Sequence, residues 1–373
     1  MAPKRSKGAG ALEQGKPTVL SPAPVSSRSN DLYAALDLGT NSCRMLIARP
    51  QGAGFHVVDS FSKSVQLGAG LEQSGRLSRG SMSRTIQALR ICQQKLKRNK
   101  VKRMRLVATE ACRRATNGAE FMCRVTRETG LRLEIIAPEQ EAQLAVISCA
   151  PLVSRKTENL LVVDIGGGST ELVWIDISKV PKKDRAQSIM RLHGGFVQAK
   201  TDIPAARVVD WISVPLGVAT LRDQFNDVED DAARFALMSW FFEENLADFT
   251  PYQSAQPQER FQIVGTSGTV TTVAASHLGL RRYDRTKVDG MSMSTDQIDK
   301  VIHKYLAMGP EGRRVDPCIG NDRSALIMSG AAILQALMRA WPTDRLSVAD
   351  RGLREGLLYA QMSADGVLDE GIF

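Results

Sequence analysis

LVVDIGGGSTELVWI, residues 161–175, is the stretch on which the reading of the fold turns. The apolar run from Leu160 to Val163 reads as a buried strand. It ends in Asp164, passes through Gly166, Gly167, Gly168, Ser169 and Thr170, and returns through the apolar residues Leu172 to Ile175. The pattern predicts a β-hairpin whose tip is three glycines and two hydroxyls. Backbone amides with no side chains in the way close readily around phosphate oxygens. A carboxylate at the strand end can hold a divalent cation beside them. Taken alone, the stretch fits a plain glycine turn as well as a phosphate cradle.

The chain carries nearly the same pattern a second time. LDLGTNSCRMLIA, residues 36–48, registers without a gap on VDIGGGSTELVWI at an offset of 127, with Asp37 on Asp164, Gly39 on Gly166 and Ser42 on Ser169. A repeat this far apart means duplicated domains rather than a solenoid. Two such domains, each opening with strand, loop and strand, are expected to face each other across a cleft, where ligands commonly bind. A third turn of small residues, Gly265 to Thr272, follows the strand-like run Phe261 to Val264 and opens a helix.

Length and composition agree with two domains. The 373 residues are 43% hydrophobic, enough for sizeable cores, and only 5% aromatic, which argues against a binder that stacks nucleic-acid bases. Of the formal charge of +9, residues 1–30 supply +4, and they read as a disordered basic tail. The mildly basic remainder suits a polyanionic ligand. Cys43, Cys92, Cys112, Cys123, Cys149 and Cys318 form no CxxC pair, and the four histidines are scattered, so neither a disulfide framework nor a zinc site is expected. With no membrane-length apolar run and no signal-peptide core, a cytoplasmic protein is the expectation.

Along the chain, a strand meander from Leu32 precedes a helix from Ser78, which runs into seven basic residues between Lys95 and Arg105 with no acid among them. That run is either a solvated face or a polyanion-capturing surface. Pro138-Glu139-Gln140-Glu141-Ala142 opens a further helix with its acids in the first turn, where the helix dipole favours them. Residues 181–206 read as a polar insertion, and the rest as mostly helical apart from a short strand at 346–348. The expected division is 31–150 for the first domain and 151–373 for the second, with the last helices free to pack back on the first.

The chain resembles the exopolyphosphatase and guanosine pentaphosphate phosphatase family, in its short two-domain form. The carriers are DLGTNS at 37–42, ATEACRRATN at 108–117, PEQEAQL at 138–144, DIGGGSTEL at 164–172, SVPLG at 213–217 and VGTSGT at 264–269. The resemblance implies an α/β fold of two ribonuclease-H-like domains, as in the actin, Hsp70 and sugar-kinase superfamily, with an inter-domain cleft. It further implies Mg²⁺-dependent hydrolysis of inorganic polyphosphate or guanosine pentaphosphate, with no membrane, no specific nucleic acid and a homodimer as the assembly. In its terms Glu141 is the general base or water positioner. Thr40, Asn41, Ser42, Arg113, Gly166, Gly167, Gly168, Ser169, Thr170, Gly265, Thr266, Ser267 and Gly268 hold phosphate. Asp164 holds the metal, with Asp37 and Glu171 as further candidates. Gln140 and Gln143 stand where the family carries charge, and Arg323-Ser324-Ala325 where it often has Arg-Ala-Asp. An ATP-dependent kinase of the same superfold and a non-catalytic polyphosphate or alarmone sensor remain as other readings.

Overall fold

The computed structural model describes residues 31–196, 204–253 and 260–368, so the tail expected at residues 1–30 lies outside the described residues. Two sheets organise the rest. The first is built from β1 (Tyr33–Leu38), β2 (Ser42–Gln51), β3 (Gly54–Ser64), β4 (Arg103–Ala108) and β5 (Glu134–Ile135), in the order β3-β2-β1-β4-β5. The second is built from β6 (Asn159–Ile165), β7 (Thr170–Asp176), β8 (Arg207–Val214), β9 (Phe261–Thr266), β10 (Ser292–Met293) and β11 (Leu346–Ala349), in the order β10-β11-β9-β6-β7-β8.

The two orders are the same arrangement used twice, and this is the expected pair of ribonuclease-H-like sheets. In each, three sequential strands form an antiparallel meander, and the later strands add in parallel to the first. β10 is the one addition, a two-residue antiparallel edge on β11. The duplication extends to single hydrogen bonds. The Gly39 amide donates to the Ser42 carbonyl at 3.0 Å, and the Gly166 amide donates to the Ser169 carbonyl at 2.9 Å, which closes the same turn at both hairpin tips.

Parallel register brings the carboxyl ends of the central strands to one edge. Leu38 lies beside Ala108 in the first sheet, and Asp164 beside Thr266 and Thr266 beside Ala349 in the second. Open α/β sheets bind ligands at that edge. The two edges are held face to face by helices. Helix Pro138–Cys149 leaves the first sheet, and its expected boundary with the second falls in the single turn Ala150–Leu152. Helix Leu353–Ala364 runs from the end of β11 back onto the first sheet, burying Leu357, Leu358 and Met362 against Tyr33, Ala35 and Val107.

Some elements differ from the sequence reading. Residues 181–196 are not a polar insertion: helix Arg185–Met190 buries Ile189, and Leu192 follows it into the core beneath β6 and β7. Arg185 is itself buried, with its guanidinium donating to the Thr157 and Arg155 carbonyls. Solvation of a guanidinium by carbonyls is invisible to a polarity count. In the mostly helical remainder, helix Thr295–Val315 is broken at Gly309, whose φ of 63° is left-handed. Among the described residues no helix is long and apolar enough to cross a membrane.

The two connecting helices cross closely at Gly356, where an added Cβ would stand 2.1 Å from the Leu144 carbonyl oxygen. Gly356→Ala therefore forces the helices apart, and overpacking of this kind costs about 1–3 kcal/mol. The urea midpoint is expected to fall accordingly, while Gly352→Ala, whose nearest neighbour is 3.6 Å away, changes it far less.

Candidate active site

The facing strand ends enclose a cavity of about 730 Å³ lined by residues of both sheets, within the size range of small-molecule sites. Asp37, Asn41 and Ser42 reach it from the first hairpin, Asp164 and Gly166 from the second, Thr266, Ser267 and Gly268 from the third turn, and Glu141 from the first turn of its helix. Nine residues singled out from sequence thus converge on one space.

The two hairpin tips touch. A methyl at Gly167 would lie 3.2 Å from the Asn41 amide nitrogen, and one at Gly168 would overlap the Thr40 hydroxyl and the Glu110 side chain. From behind, the turn following β8 ties down the glycine carbonyls. The Val218 amide donates to Gly166 O at 3.0 Å, the Ala219 amide to Gly167 O at 2.8 Å, and the Thr220 hydroxyl to Gly168 O. Gly217 packs so tightly on this loop that no Cβ fits there. With their carbonyls engaged, the Gly167 and Gly168 amides make no hydrogen bond among the described residues. The buried Thr40 and Ser267 hydroxyls are likewise without a partner. Unmet buried polar groups in native structures call for an explanation, and a bound anion at the loop tips would satisfy them. Ser267 adds strain, with φ at 105° in the left-handed region for a residue bearing a side chain.

Other predicted residues are used differently. The Thr170 hydroxyl donates to Leu216 O within the fold, and Gly265 sits in β9, where its missing side chain makes room for Val270. Ser169 is buried in the turn itself. Arg113 is not among the residues lining the cavity: its guanidinium forms an ion pair with Glu110, donates to Ile136 O at 2.7 Å and stands 3.5 Å from Glu141. It therefore fixes the rear of Glu141 rather than lining the space in front.

Antiparallel register pairs Asp37 with Arg44 and Asp164 with Glu171, at the same step of each hairpin. The first pair balances its charge; the second doubles it. Burial, with Asp37 nearby, pushes the Asp164 carboxyl up to about 7, and burial with Asp164 beside it pushes Glu171 up to about 8. Burial likewise raises Glu141 well above the usual carboxylate range, with Glu171 adding to the effect and Arg113 opposing it. Glu171 does not line the cavity. One of its oxygens accepts from the Ser213 hydroxyl at 2.8 Å and the other is buried without a partner. Of the three metal candidates, Asp37 and Asp164 reach the cavity and Glu171 does not, and among the described residues no group of three or more such side chains is placed to hold a metal. Asp37 and Asp164 remain as two carboxylates open to the cavity, a donor set that suits Mg²⁺, which keeps several waters and takes further oxygens from substrate phosphates.

Sequence reasoning missed most of the cationic wall. Arg44, Arg351, Arg354 and Lys63 line the cavity. Burial and the neighbouring Arg354 and Arg323 hold Arg44 below the usual guanidinium range. Arg44 and Arg323 both aim at the start of helix Gly268–His277, where a Cβ on Gly268 would lie 3.8 Å from Arg44 and 3.9 Å from Arg323. The signal for Arg44 was available, since it occupies the repeat position of Glu171. Arg351 and Arg354 gave none, because they follow a four-residue strand with no glycine fingerprint.

Twin ribonuclease-H-like sheets whose glycine hairpins meet over a polar cavity give the chain the actin-like class of fold. Within that class it belongs to the Ppx/GppA phosphatase family, which it matches over residues 46–365. It is 29% identical to the guanosine-5'-triphosphate,3'-diphosphate pyrophosphatase of Aeromonas salmonicida over 336 residues, 89% of this chain and 59% of that protein, so it spans about three fifths of the curated relatives it matches. Among solved structures, the Ppx/GppA family member of Aquifex aeolicus is 29% identical with a TM-score of 0.69, covering 90% of this chain and 98% of that one. An exopolyphosphatase from Cytophaga hutchinsonii shares the fold at 20% identity, with a TM-score of 0.73 over 90% of this chain and 99% of that one.

The raised carboxylates have a thermodynamic consequence. Between the ordinary value near 4.5 and about 8, folded Glu171 binds more proton than the unfolded chain does. Stability of metal-free protein is therefore full at low pH within that window and falls as pH rises through it. Melting temperature in chelator is expected to drop from pH 5 to pH 8.5. Glu171→Gln, which keeps a partner for Ser213, is expected to flatten the slope.

Proposed function

We propose that the chain hydrolyses terminal phosphoanhydride bonds, releasing inorganic phosphate from inorganic polyphosphate, with guanosine pentaphosphate as the sister substrate. The observation that supports this reading best is Glu141 opening onto the same cavity as both glycine hairpins, with Arg113 behind it.

In this mechanism the free amides of Gly167 and Gly168, with the Thr40 and Ser267 hydroxyls, grip the terminal phosphates. Arg44, Arg323 and Arg354 neutralise the charge of the chain behind them. Forked guanidinium groups suit phosphate oxygens better than lysine does. A water oriented by Glu141 attacks the terminal phosphorus in line with the bridging oxygen. As the new P–O bond forms, Glu141 takes the water's proton. The anhydride bond breaks, and its electron pair leaves on the shortened chain. Burial and neighbouring carboxylates raise the proton affinity of Glu141, which favours it as a base once it is ionised. Arg113, held by Glu110 and the Ile136 carbonyl, fixes the carboxylate's direction. Mg²⁺ held by Asp37 and Asp164 would supply charge neutralisation at the phosphate oxygens.

The test is phosphate release from long-chain polyphosphate and from guanosine pentaphosphate, with and without Mg²⁺. Glu141→Gln is expected to lose about 10²–10⁴-fold in turnover, the usual worth of a general base, while substrate still binds. Unimpaired release by that variant would refute the assignment.

A further inference from the structure

The basic run at residues 95–105 is not in the cleft. β4 runs parallel to β1, with Ala108 beside Leu38 at the cavity edge and Arg103 beside Tyr33 at the opposite end. Five strand steps of about 3.3 Å separate the two ends by roughly 17 Å. None of the cavity's lining residues falls in this run.

The run divides into paired and unpaired cations. Lys95 is held by Asp59 at 2.7 Å, Arg105 by Glu134 at 3.2 Å, and Arg103 lies 3.5 Å from Asp365. Lys97, Arg98, Lys100 and Lys102 are exposed and make no ion pair with another described residue. The seven cations of residues 95–105 and the +4 of residues 1–30 together exceed the chain's +9, so everything else is net negative. Among the described residues, the run at 95–105 thus gathers seven cations, four of them unpaired, at the end of the first sheet opposite the cavity.

A second observation points the same way. Helix Arg79–Arg98 ends with the Val101 amide donating to Leu96 O and the Lys100 amide donating to Lys97 O, which places Lys100 at the left-handed position with φ of 53°. Glycine is the usual residue there, because a Cβ is disfavoured in that conformation. A lysine at this point works against local stability and adds one more exposed charge.

We propose that Lys97, Arg98, Lys100 and Lys102 form an exosite for the distal part of a long inorganic polyphosphate chain whose terminal phosphate occupies the cavity. The proposal rests on the reading of the cavity given above and extends it to chain-length preference. Point charges on flexible stems suit a polymer of phosphates without bases. The patch offers no aromatic ring on which a nucleobase could stack, and a polyphosphate shares its chemistry with the ligand of the cavity.

The experiment uses the full chain carrying Glu141→Gln, so that binding is read without turnover, against long-chain polyphosphate and tripolyphosphate. Charge reversal at all four positions (Lys97→Glu, Arg98→Glu, Lys100→Glu, Lys102→Glu) is expected to weaken long-chain binding about tenfold or more and to reduce its salt dependence, since fewer counterions are displaced. Tripolyphosphate binding stays the same. Lys100→Gly alone is expected to weaken long-chain binding while its melting temperature holds or rises, a combination that loss of folding cannot produce. Equal long-chain affinity in the fourfold variant overturns the proposal. So does tighter binding of duplex DNA or RNA than of polyphosphate at matched phosphate concentration, which would make the patch a nucleic-acid surface. A wild-type chain that releases phosphate from neither substrate would sink the cavity reading separately, with the binding comparison still reporting on the patch.

Discussion

Like charge crowded into a protein interior is the constraint on which this structure depends. Asp37, Asp164, Glu171 and Glu141 approach one another from both sheets and from the helix between them, and burial removes the water that would screen them. Against them stand Arg44, Arg323 and Arg354, themselves too close together to be comfortable without an anion. Neither set is satisfied alone. The cavity between them is lined by groups of both signs already fixed by the backbone. Preorganised electrostatics of this kind is the usual source of catalytic power in phosphoryl transfer.

Holding such a cluster together requires a rigid frame, and packing supplies it. Glycines serve that frame where chains meet: Gly217 under the second hairpin, Gly167 and Gly168 against the first, and Gly356 where the two connecting helices cross. At each of these positions a side chain would push two backbones apart. The consequence reaches from a helix crossing to the separation of the hairpin tips, because both connecting helices are anchored in the sheets that carry those tips.

Charge is partitioned by the same architecture. Parallel strands send their carboxyl ends to the cavity and their amino ends to the far side, so the residues that begin β4 cannot share a surface with those that end it. The acids meet at one edge and the unpaired lysines at the other. On the exosite proposed above, a polymer ligand would engage both edges only if it were long.

The sequence by itself determined the duplication, the strand–glycine–strand hairpins, the helix that begins at Pro138 and, through them, the two-sheet fold. These are local patterns, and strand alternation and turn chemistry act within a few residues. It also brought Asp37, Asp164, Glu141 and the Ser267 turn to notice, because each lies at the end of a strand or the start of a helix with a recognisable motif. Only the tertiary structure decided which way side chains face and what they meet. Arg113 turns behind Glu141 because Glu110 and the Ile136 carbonyl claim it. Glu171 turns to Ser213 instead of joining a metal set. Arg351 and Arg354 enter the cavity because the last strand ends beside Thr266, and the basic run leaves it because β4 starts at the opposite edge. Apart from the Glu110–Arg113 pair, these outcomes depend on residues tens of positions apart, and no periodicity along the chain encodes such a meeting.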